Sequence, residues 1–165
     1  TSMQDLVDTT GLNRSSIYNS FGDKHNLYEE SLKFYQKLQQ ERLAECFDKS
    51  KSPKMRIKSL FEGIYEEIVN QKDVRGCFMS NCTTELANTD PDVQAFLLRN
   101  KETMIQMFSE LIQEGQESGE IDTAKRSNEL AAFLFSSLQG IRVTGMLGNK
   151  STEIKGIINQ TLAVL

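Results

Sequence analysis

The sequence has little histidine and lacks the short motifs that mark common enzyme sites. His25 is the only histidine among 165 residues, which excludes a histidine-based catalytic triad or a multi-histidine metal site in this chain. Neither a glycine-rich phosphate-binding loop nor a Cys-x-x-Cys motif is present. We therefore expect a protein that is not an enzyme and that uses no cofactor and no metal ion.

Long apolar runs and paired cysteines are also missing. Apolar residues make up 38% of the chain, yet no run approaches the ~18 residues that a membrane-spanning helix needs. The three cysteines, Cys46, Cys77 and Cys82, are an odd number without the spacing of a disulfide framework. These features predict a globular, cytoplasmic protein with no membrane partner.

The chain has no excess of basic residues. Acidic residues outnumber basic ones by 23 to 19, and the formal net charge is −4. Proteins that bind nucleic acids usually show a basic patch, so the overall charge argues mildly against that class. The charge of a whole chain says little about one face, however, and an acidic remainder discourages non-specific contact with DNA.

The N-terminal segment carries the most specific pattern, which predicts two short helices around a tight turn. Gly11 ends the first helix because glycine adopts a left-handed backbone without penalty. Leu12 is expected to pack between the helices, and Asn13 is a good cap for the second helix. Ile17 and Phe21 are four residues apart and share its buried face. This is the layout of a helix-turn-helix, whose second helix enters the major groove of DNA.

Polar side chains on the other faces of the second helix suit contact with DNA. Arg14 can donate two hydrogen bonds to a guanine edge, and Asn19 can pair with adenine. Ser16, Tyr18 and Lys24 can donate to phosphate oxygens. An ordinary solvated face is the alternative interpretation of each residue alone. The predicted DNA-binding residues are Arg14, Ser15, Ser16, Tyr18, Asn19, Ser20 and Lys24.

The same segment resembles the DNA-binding domain of the TetR family of transcriptional repressors. The family pattern is a glycine turn, a recognition helix ending in Tyr-x-His-Phe, and a Ser-Lys-Glu-x-Leu opening to the next helix. The matching residues here are Gly11-Leu12, Ser16-Ile17-Tyr18-Asn19-Ser20-Phe21 and Asp23-Lys24-His25-Asn26-Leu27. Ser20 replaces the usual histidine, Ser15 a frequent glycine, and His25 the usual glutamate. The missing histidine removes one expected phosphate contact at Ser20.

The resemblance implies an all-α fold with two domains. A helix-turn-helix DNA-binding domain over residues 1–35 would be joined by a long helix to a ligand-binding and dimerisation domain over residues 36–165. Family members have a full helix before the position that corresponds to Thr1. We therefore expect the natural protein to have further residues upstream of this segment.

Helical patterns continue along the rest of the chain. Ser52-Pro53 and Asp90-Pro91 each combine a capping side chain with a proline at the first helical position, which predicts two helix starts. The start of a later helix falls at Asp122 or Thr123. The predicted helices span residues 24–49, 53–71, 77–87, 91–118, 122–147 and 151–165, with a connection over 72–76. No alternating strand pattern is found.

Aromatic and methionine side chains recur in the middle helices, where the resemblance implies a ligand pocket. Methionine lines adaptable pockets, and such a pocket would take a small apolar or amphipathic effector. Simple core packing is the alternative for each of these residues. The predicted ligand-binding residues are Phe61, Tyr65, Phe78, Met79, Phe96, Met104, Met107 and Phe108.

The last two helices carry more apolar residues than are needed to pack one edge of a thin domain. In the TetR family these helices pair with their symmetry mates in a four-helix bundle. The resemblance therefore implies a homodimer that binds a palindromic operator. A buried monomer core is the alternative. The predicted interface residues are Leu130, Leu134, Leu138, Ile141, Ile157, Ile158 and Leu162.

Taken together, the resemblance implies a ligand-responsive transcriptional repressor. Effector binding would favour a dimer whose recognition helices no longer match the half-site spacing, and double-stranded DNA would be released. A helical interaction protein that does not bind DNA is one alternative.

Cys77 suggests another alternative. The segment from Gly76-Cys77 to Glu85-Leu86 is similar to a subset of the family in which some members sense electrophiles or oxidants through a cysteine. A position near a helix N-terminus favours the thiolate of Cys77. A buried, inert thiol is the plainer interpretation of this residue.

Overall fold

The structure is a computed structural model that describes residues 1–46, 48–70, 76–148 and 151–165. All regular structure in these ranges is α-helical, which confirms the predicted fold class. The helices are α1 (Met3–Thr10), α2 (Arg14–Phe21), α3 (Lys24–Cys46), α4 (Pro53–Asn70), α5 (Phe78–Glu85), α6 (Pro91–Glu117), α7 (Ser127–Met146) and α8 (Ser151–Leu162). The predicted connection over 72–76, except Gly76, lies outside the described residues, as does the side chain of Cys46.

Contacts divide the chain into two compact units, Thr1–Gln40 and Glu41–Leu165. The functional domains predicted at residues 1–35 and 36–165 stay a prediction. In the first unit, Ile17 and Leu32 are buried. Leu12 is 49% exposed, so the prediction that it packs between α1 and α2 is wrong. Among the described residues, no helix is both long and apolar enough to cross a membrane.

The predicted helix starts follow local capping. Asp90 Oδ1 accepts hydrogen bonds from the backbone N–H groups of Asp92 and Val93, each at 3.1 Å, and Pro91 begins α6. α4 likewise begins at Pro53. Because caps and their partners are three residues apart or fewer, they can be recognised from sequence.

The start of α7 differs from the prediction, because α7 begins at Ser127 instead of Asp122 or Thr123. Asp122 Oδ1 accepts from the backbone N–H of Ala124, which closes a short turn. The Gln116 side chain donates to the carbonyl oxygens of Asp122 and Lys125 at 2.9 and 2.8 Å. These carbonyl oxygens therefore accept hydrogen bonds from a side chain instead of from a helical backbone, and the segment before Ser127 stays non-helical.

The core of the second unit forms where α4, α6, α7 and α8 pack together. Phe61 and Phe108 lie at its centre, fully buried, with their ring centroids 6.3 Å apart. Tyr65, Met104 and Met107 pack against the same core while half-buried. Both rings are enclosed by the core in this structure, and their predicted role in binding an effector stays a prediction.

The predicted dimer residues differ in their burial within the single chain. Five of the side chains are buried within the single chain: Leu130, Leu134, Leu138, Ile141 and Ile158. Ile157 and Leu162 are half-buried and pack against the same core. Side chains with at most 6% of their surface exposed have little left to bury against a partner subunit. The buried five therefore pack within the core of the single chain, and the dimer interface stays a prediction.

Candidate DNA-binding surface and sites of the helical domain

A reciprocal cap and a glycine turn set the geometry of α1 and its exit. Ser2 N–H donates to Asp5 Oδ2 at 2.6 Å, and Asp5 N–H donates to Ser2 Oγ at 3.1 Å. The backbone N–H of Ser2, and then its hydroxyl, hold the pKa of Asp5 below its usual value. Gly11 adopts φ +70° and its N–H donates to the Val7 carbonyl, so the chain turns sharply toward α2.

The orientation of α2 leaves its polar side chains accessible. Asn13 Oδ1 caps the helix by accepting from Ser16 N–H at 2.8 Å, and Ile17 faces inward. α2 contains no acidic side chain, so no carboxylate on this helix would repel a phosphate. Tyr18 is 48% exposed. The predicted DNA-binding residues Arg14, Ser15, Tyr18, Asn19, Ser20 and Lys24 are exposed, and Ser16 is half-buried.

A chain of side-chain hydrogen bonds joins α2 to α1. Arg14 Nη2 donates to Gln4 Oε1 at 2.9 Å. Gln4 Nε2 in turn donates to Asp8 Oδ1 at 2.8 Å. Sequence reasoning identified Arg14 but missed Gln4 and Asp8. The spacing of Gln4 and Asp8 on one helix face was visible, but only the turn at Gly11 brings Gln4 to Arg14.

A small cavity lies between α4 and α7, beside the start of α5. Its volume of about 20 Å³ is enough for one water molecule. Arg142 Nη2 lies 3.5 Å from Glu67 Oε2 at its wall. The lining residues are Glu67, Ile68, Gly76, Cys77, Arg142, Gly145 and Met146.

Cys77 lies at the N-terminal end of α5, as its sequence context suggested. It is the N-cap residue of that helix, and it is only 7% exposed. Cys82, five residues later, is 1% exposed. Both cysteines are in the reduced, thiol form. Burial restricts access to both sulfur atoms, and Cys77 alone of the two borders the cavity.

The predicted effector residues outside the core centre have varied surroundings. Met107 lies on an open face of α6 together with Glu102, Thr103, Gln106 and Glu110. Met79 is buried in α5, and Phe78 and Phe96 are half-buried. The structure therefore does not place the whole predicted set around one described cavity, and the effector site stays a prediction.

The outward face of α7 is largely apolar. Phe133 and Val143 are each 46% exposed, and Leu147 just beyond the helix is 87% exposed. A Cβ atom added at Gly140 would meet nothing within 4 Å. We call this set the outer α7 face, consisting of Ala132, Phe133, Ser136, Gly140, Val143 and Leu147, all of them exposed. Gly156 and Asn159 of α8 and Ala163 just beyond it are also exposed.

Comparison with known proteins bears on both units. A family profile described as "Tetracyclin repressor-like, C-terminal domain" matches residues 53–160. The chain is 32% identical to the HTH-type transcriptional repressor DhaR of Mycobacterium sp. (strain GP1) over 139 residues, covering 84% of this chain and 68% of DhaR. It is 25% identical to the HTH-type transcriptional repressor ComR of Escherichia coli (strain K12) over 163 residues, covering 98% and 78%.

A solved structure shares the fold at lower identity. This is the TetR family transcriptional regulator CifR, a cysteine mutant complexed with 26-base-pair operator DNA. The TM-score is 0.86 at 20% identity, over 98% of this chain and 85% of that one. The likeness covers both units, including α1 and α2.

Proposed function

The chain belongs to the TetR family of transcriptional regulators, and we propose that it represses transcription by binding a palindromic DNA operator as a homodimer. One observation carries this proposal most directly. The exposed face of α2 presents Arg14, Tyr18 and Asn19 and lacks any acidic side chain. Relatives named as transcriptional repressors support the same function.

In this proposal α2 is the recognition helix of each subunit. Its N-terminal end enters the major groove, where Arg14 reads a guanine edge and Asn19 an adenine. The hydroxyl groups of Ser16 and Tyr18 and the ammonium group of Lys24 donate to phosphate oxygens and fix the register. Ser15 and Ser20 lie on the same exposed surface. The two-fold symmetry of a dimer then requires a palindromic site.

The homodimer is proposed to form through the outer α7 face and the exposed face of α8. The buried leucines of α7 are committed to the subunit core, whereas Phe133 and Val143 are not. The open space above Gly140 and Gly156 lets a partner helix approach closely. An exposed apolar face such as that of α7 suits the four-helix bundle that the family resemblance implies.

The effector is proposed to be a small apolar or amphipathic molecule. Phe78, Phe96, Met104 and Met107 are half-buried in the second unit and keep some accessible surface. Methionine and aromatic side chains adapt to such ligands. An effector with higher affinity for the dimer that does not fit DNA shifts the population toward release.

Selection from a random pool of duplex DNA tests this function. The wild-type chain should enrich a palindrome, and Arg14→Ala or Tyr18→Ala should weaken its binding. Arg99→Ala is the matched control, because Arg99 is exposed on α6, far along the chain from α2. A folded dimer that enriches no sequence would favour a helical interaction protein that does not bind DNA.

A cysteine-based sensor is a second candidate for the regulatory input. Cys77 lines the same small cavity as Arg142 and Glu67, which pair with each other, and it lies at the N-terminus of α5. The helix N-terminus favours a thiolate. Cys77→Ser should abolish any release of DNA by a thiol-reactive maleimide, whereas Cys82→Ser should leave the release intact. An equal response of wild type and Cys77→Ser would exclude this input.

A further inference from the structure

We propose that Gln4 is a positioning residue for DNA recognition, which together with Asp8 orients the guanidinium group of Arg14 toward a base edge. This inference rests on the proposed function, because it concerns how α2 reads its operator. It adds α1 side chains to a recognition surface otherwise assigned to α2 and Lys24.

The two hydrogen bonds form a continuous path across the turn. Arg14 Nη2 donates to Gln4 Oε1 at 2.9 Å, and Gln4 Nε2 donates to Asp8 Oδ1 at 2.8 Å. Gln4 and Asp8 are one helical turn apart and therefore share a face of α1. Arg14 is the first residue of α2, at the end of a recognition helix that contacts bases.

The chemistry of the carboxylate fixes which end of the Gln4 amide faces Arg14. A carboxylate only accepts hydrogen bonds, so Asp8 takes the amide NH₂ group. The amide oxygen is then left for the guanidinium group, which only donates. With Asp8 in place, the amide has one favourable orientation, and that orientation holds Arg14.

Arg14 keeps enough donors to read DNA while Gln4 holds it. A guanidinium group has five N–H donors, and the bond to Gln4 uses one of them. The remaining donors can form the bidentate pair with guanine O6 and N7. Restraining the side chain before DNA arrives reduces the rotamer entropy that is lost on binding. Gln4 thus acts on base discrimination through Arg14 without touching DNA.

The test measures base preference in the full chain, variant by variant, with the random duplex pool as the probe. Arg14→Ala should reduce discrimination at one base pair of each half-site by roughly tenfold or more. Gln4→Ala should reduce it at the same base pair by about two- to fivefold, the range of an exposed charge-assisted hydrogen bond. Asp8→Ala should act at that base pair too, and less strongly.

Three controls separate positioning from a structural effect. Thr9→Ala changes another exposed residue of α1 and should leave every base preference unchanged. Gln4→Met keeps the side-chain length and helix propensity without either hydrogen bond, so it should reproduce Gln4→Ala. In an Arg14→Ala background, Gln4→Ala should have no further effect, and affinity for non-specific duplex should not change.

Several results would overturn the proposal. One is an unchanged base preference in Gln4→Ala when the wild type enriches a palindrome. Another is an effect of Gln4→Ala that persists without Arg14, or that falls equally on all base pairs. A wild-type chain that enriches no palindrome contradicts the proposed function first, and this inference with it.

Discussion

Phe61 of α4 and Phe108 of α6 stack in the core with their ring planes inclined by 28° and their centroids 6.3 Å apart. Neither ring has exposed surface. The pair therefore joins two long helices at the centre of the second unit. Contacts of this geometry contribute about 0.5–1.5 kcal/mol beyond the burial of their area. Both rings therefore contribute to the stability of the core, whereas their predicted contact with an effector stays a prediction.

Truncating one ring of this pair should strongly destabilise the protein. We expect Phe108→Ala to lower the free energy of unfolding by about 3–5 kcal/mol, because it removes a buried ring and leaves a cavity. Urea unfolding followed by circular dichroism measures the change. Leu98→Ala on the same helix is the control, since Leu98 is 49% exposed and should cost under about 1 kcal/mol. Equal losses would contradict the core assignment of Phe108.

Two glycines of α7 should respond to alanine in opposite directions. A Cβ at Gly145 would lie 2.9 Å from Ile68 Cγ2 and 3.0 Å from its Cδ1, whereas a Cβ at Gly140 meets nothing within 4 Å. Gly145→Ala should therefore cost about 1–3 kcal/mol through overpacking. Gly140→Ala should stabilise the isolated subunit by about 0.5–1 kcal/mol, because alanine is the better helix former.

Thermal unfolding of both glycine variants at low protein concentration checks the contrast. Low concentration matters because Gly140 belongs to the proposed dimer face, whose association would obscure the change in the subunit. Two variants with the same shift in unfolding temperature would show that Ile68 yields at no cost, and that α7 packs against α4 less tightly than the structure indicates.

Helix starts were predictable where the determining contacts are local. Asn13 and Asp90 cap helices whose first N–H groups lie within three residues, and both caps form as predicted. The start of α7 was not predictable in this way. Asp122 has the right side chain for a cap, but Gln116 binds the carbonyl oxygens of the following turn from α6. A competing partner six or nine residues away leaves no periodic signal.

The direction in which α7 faces was the least predictable feature of the candidate sites. Apolar residues lie on both sides of this helix, with Leu134 fully buried and Val143 46% exposed. A period of 3.6 residues identifies a helix, yet it cannot assign one of two apolar faces to the core and the other to a partner. Similarly, the sequence showed Arg14, while its contact with Gln4 depends on the angle between two helices.

Glu120 should stabilise the start of α4 from a distance in sequence. Its carboxylate accepts from the hydroxyl group of Ser52 and from the backbone N–H of Lys54, the latter at 3.0 Å. We expect Glu120→Ala to cost about 1–2 kcal/mol, as loss of a helix cap does. Glu120→Gln keeps an acceptor oxygen and should cost less. Urea unfolding measures the loss of stability in both variants. Glu117 is an exposed neighbour, so Glu117→Ala should have little effect. A loss in Glu117→Ala similar to that in Glu120→Ala would contradict the capping role.

The outer α7 face should control subunit association without controlling the fold. Val143→Glu places a carboxylate where the proposed dimer buries an apolar side chain, once in each subunit. An unpaired buried charge costs on the order of 3 kcal/mol, and two-fold symmetry applies that cost twice. Analytical ultracentrifugation should show a dimer for the wild type and a monomer for Val143→Glu, with the same helix content.

Two controls distinguish this effect from added charge and from damage to the core. Gln106→Glu adds the same carboxylate at an exposed position of α6 and should stay dimeric. Leu134→Ala should lose about 2–5 kcal/mol of stability, but the folded fraction should still dimerise because Leu134 is fully buried within its own subunit. A monomeric Leu134→Ala beside a dimeric Val143→Glu would place the interface elsewhere.

The recognition helix α2 is unchanged in Val143→Glu. The monomeric variant should therefore lose affinity for the palindrome, but it should bind an isolated half-site with the same weak affinity as the wild type. This result would separate DNA recognition from dimerisation.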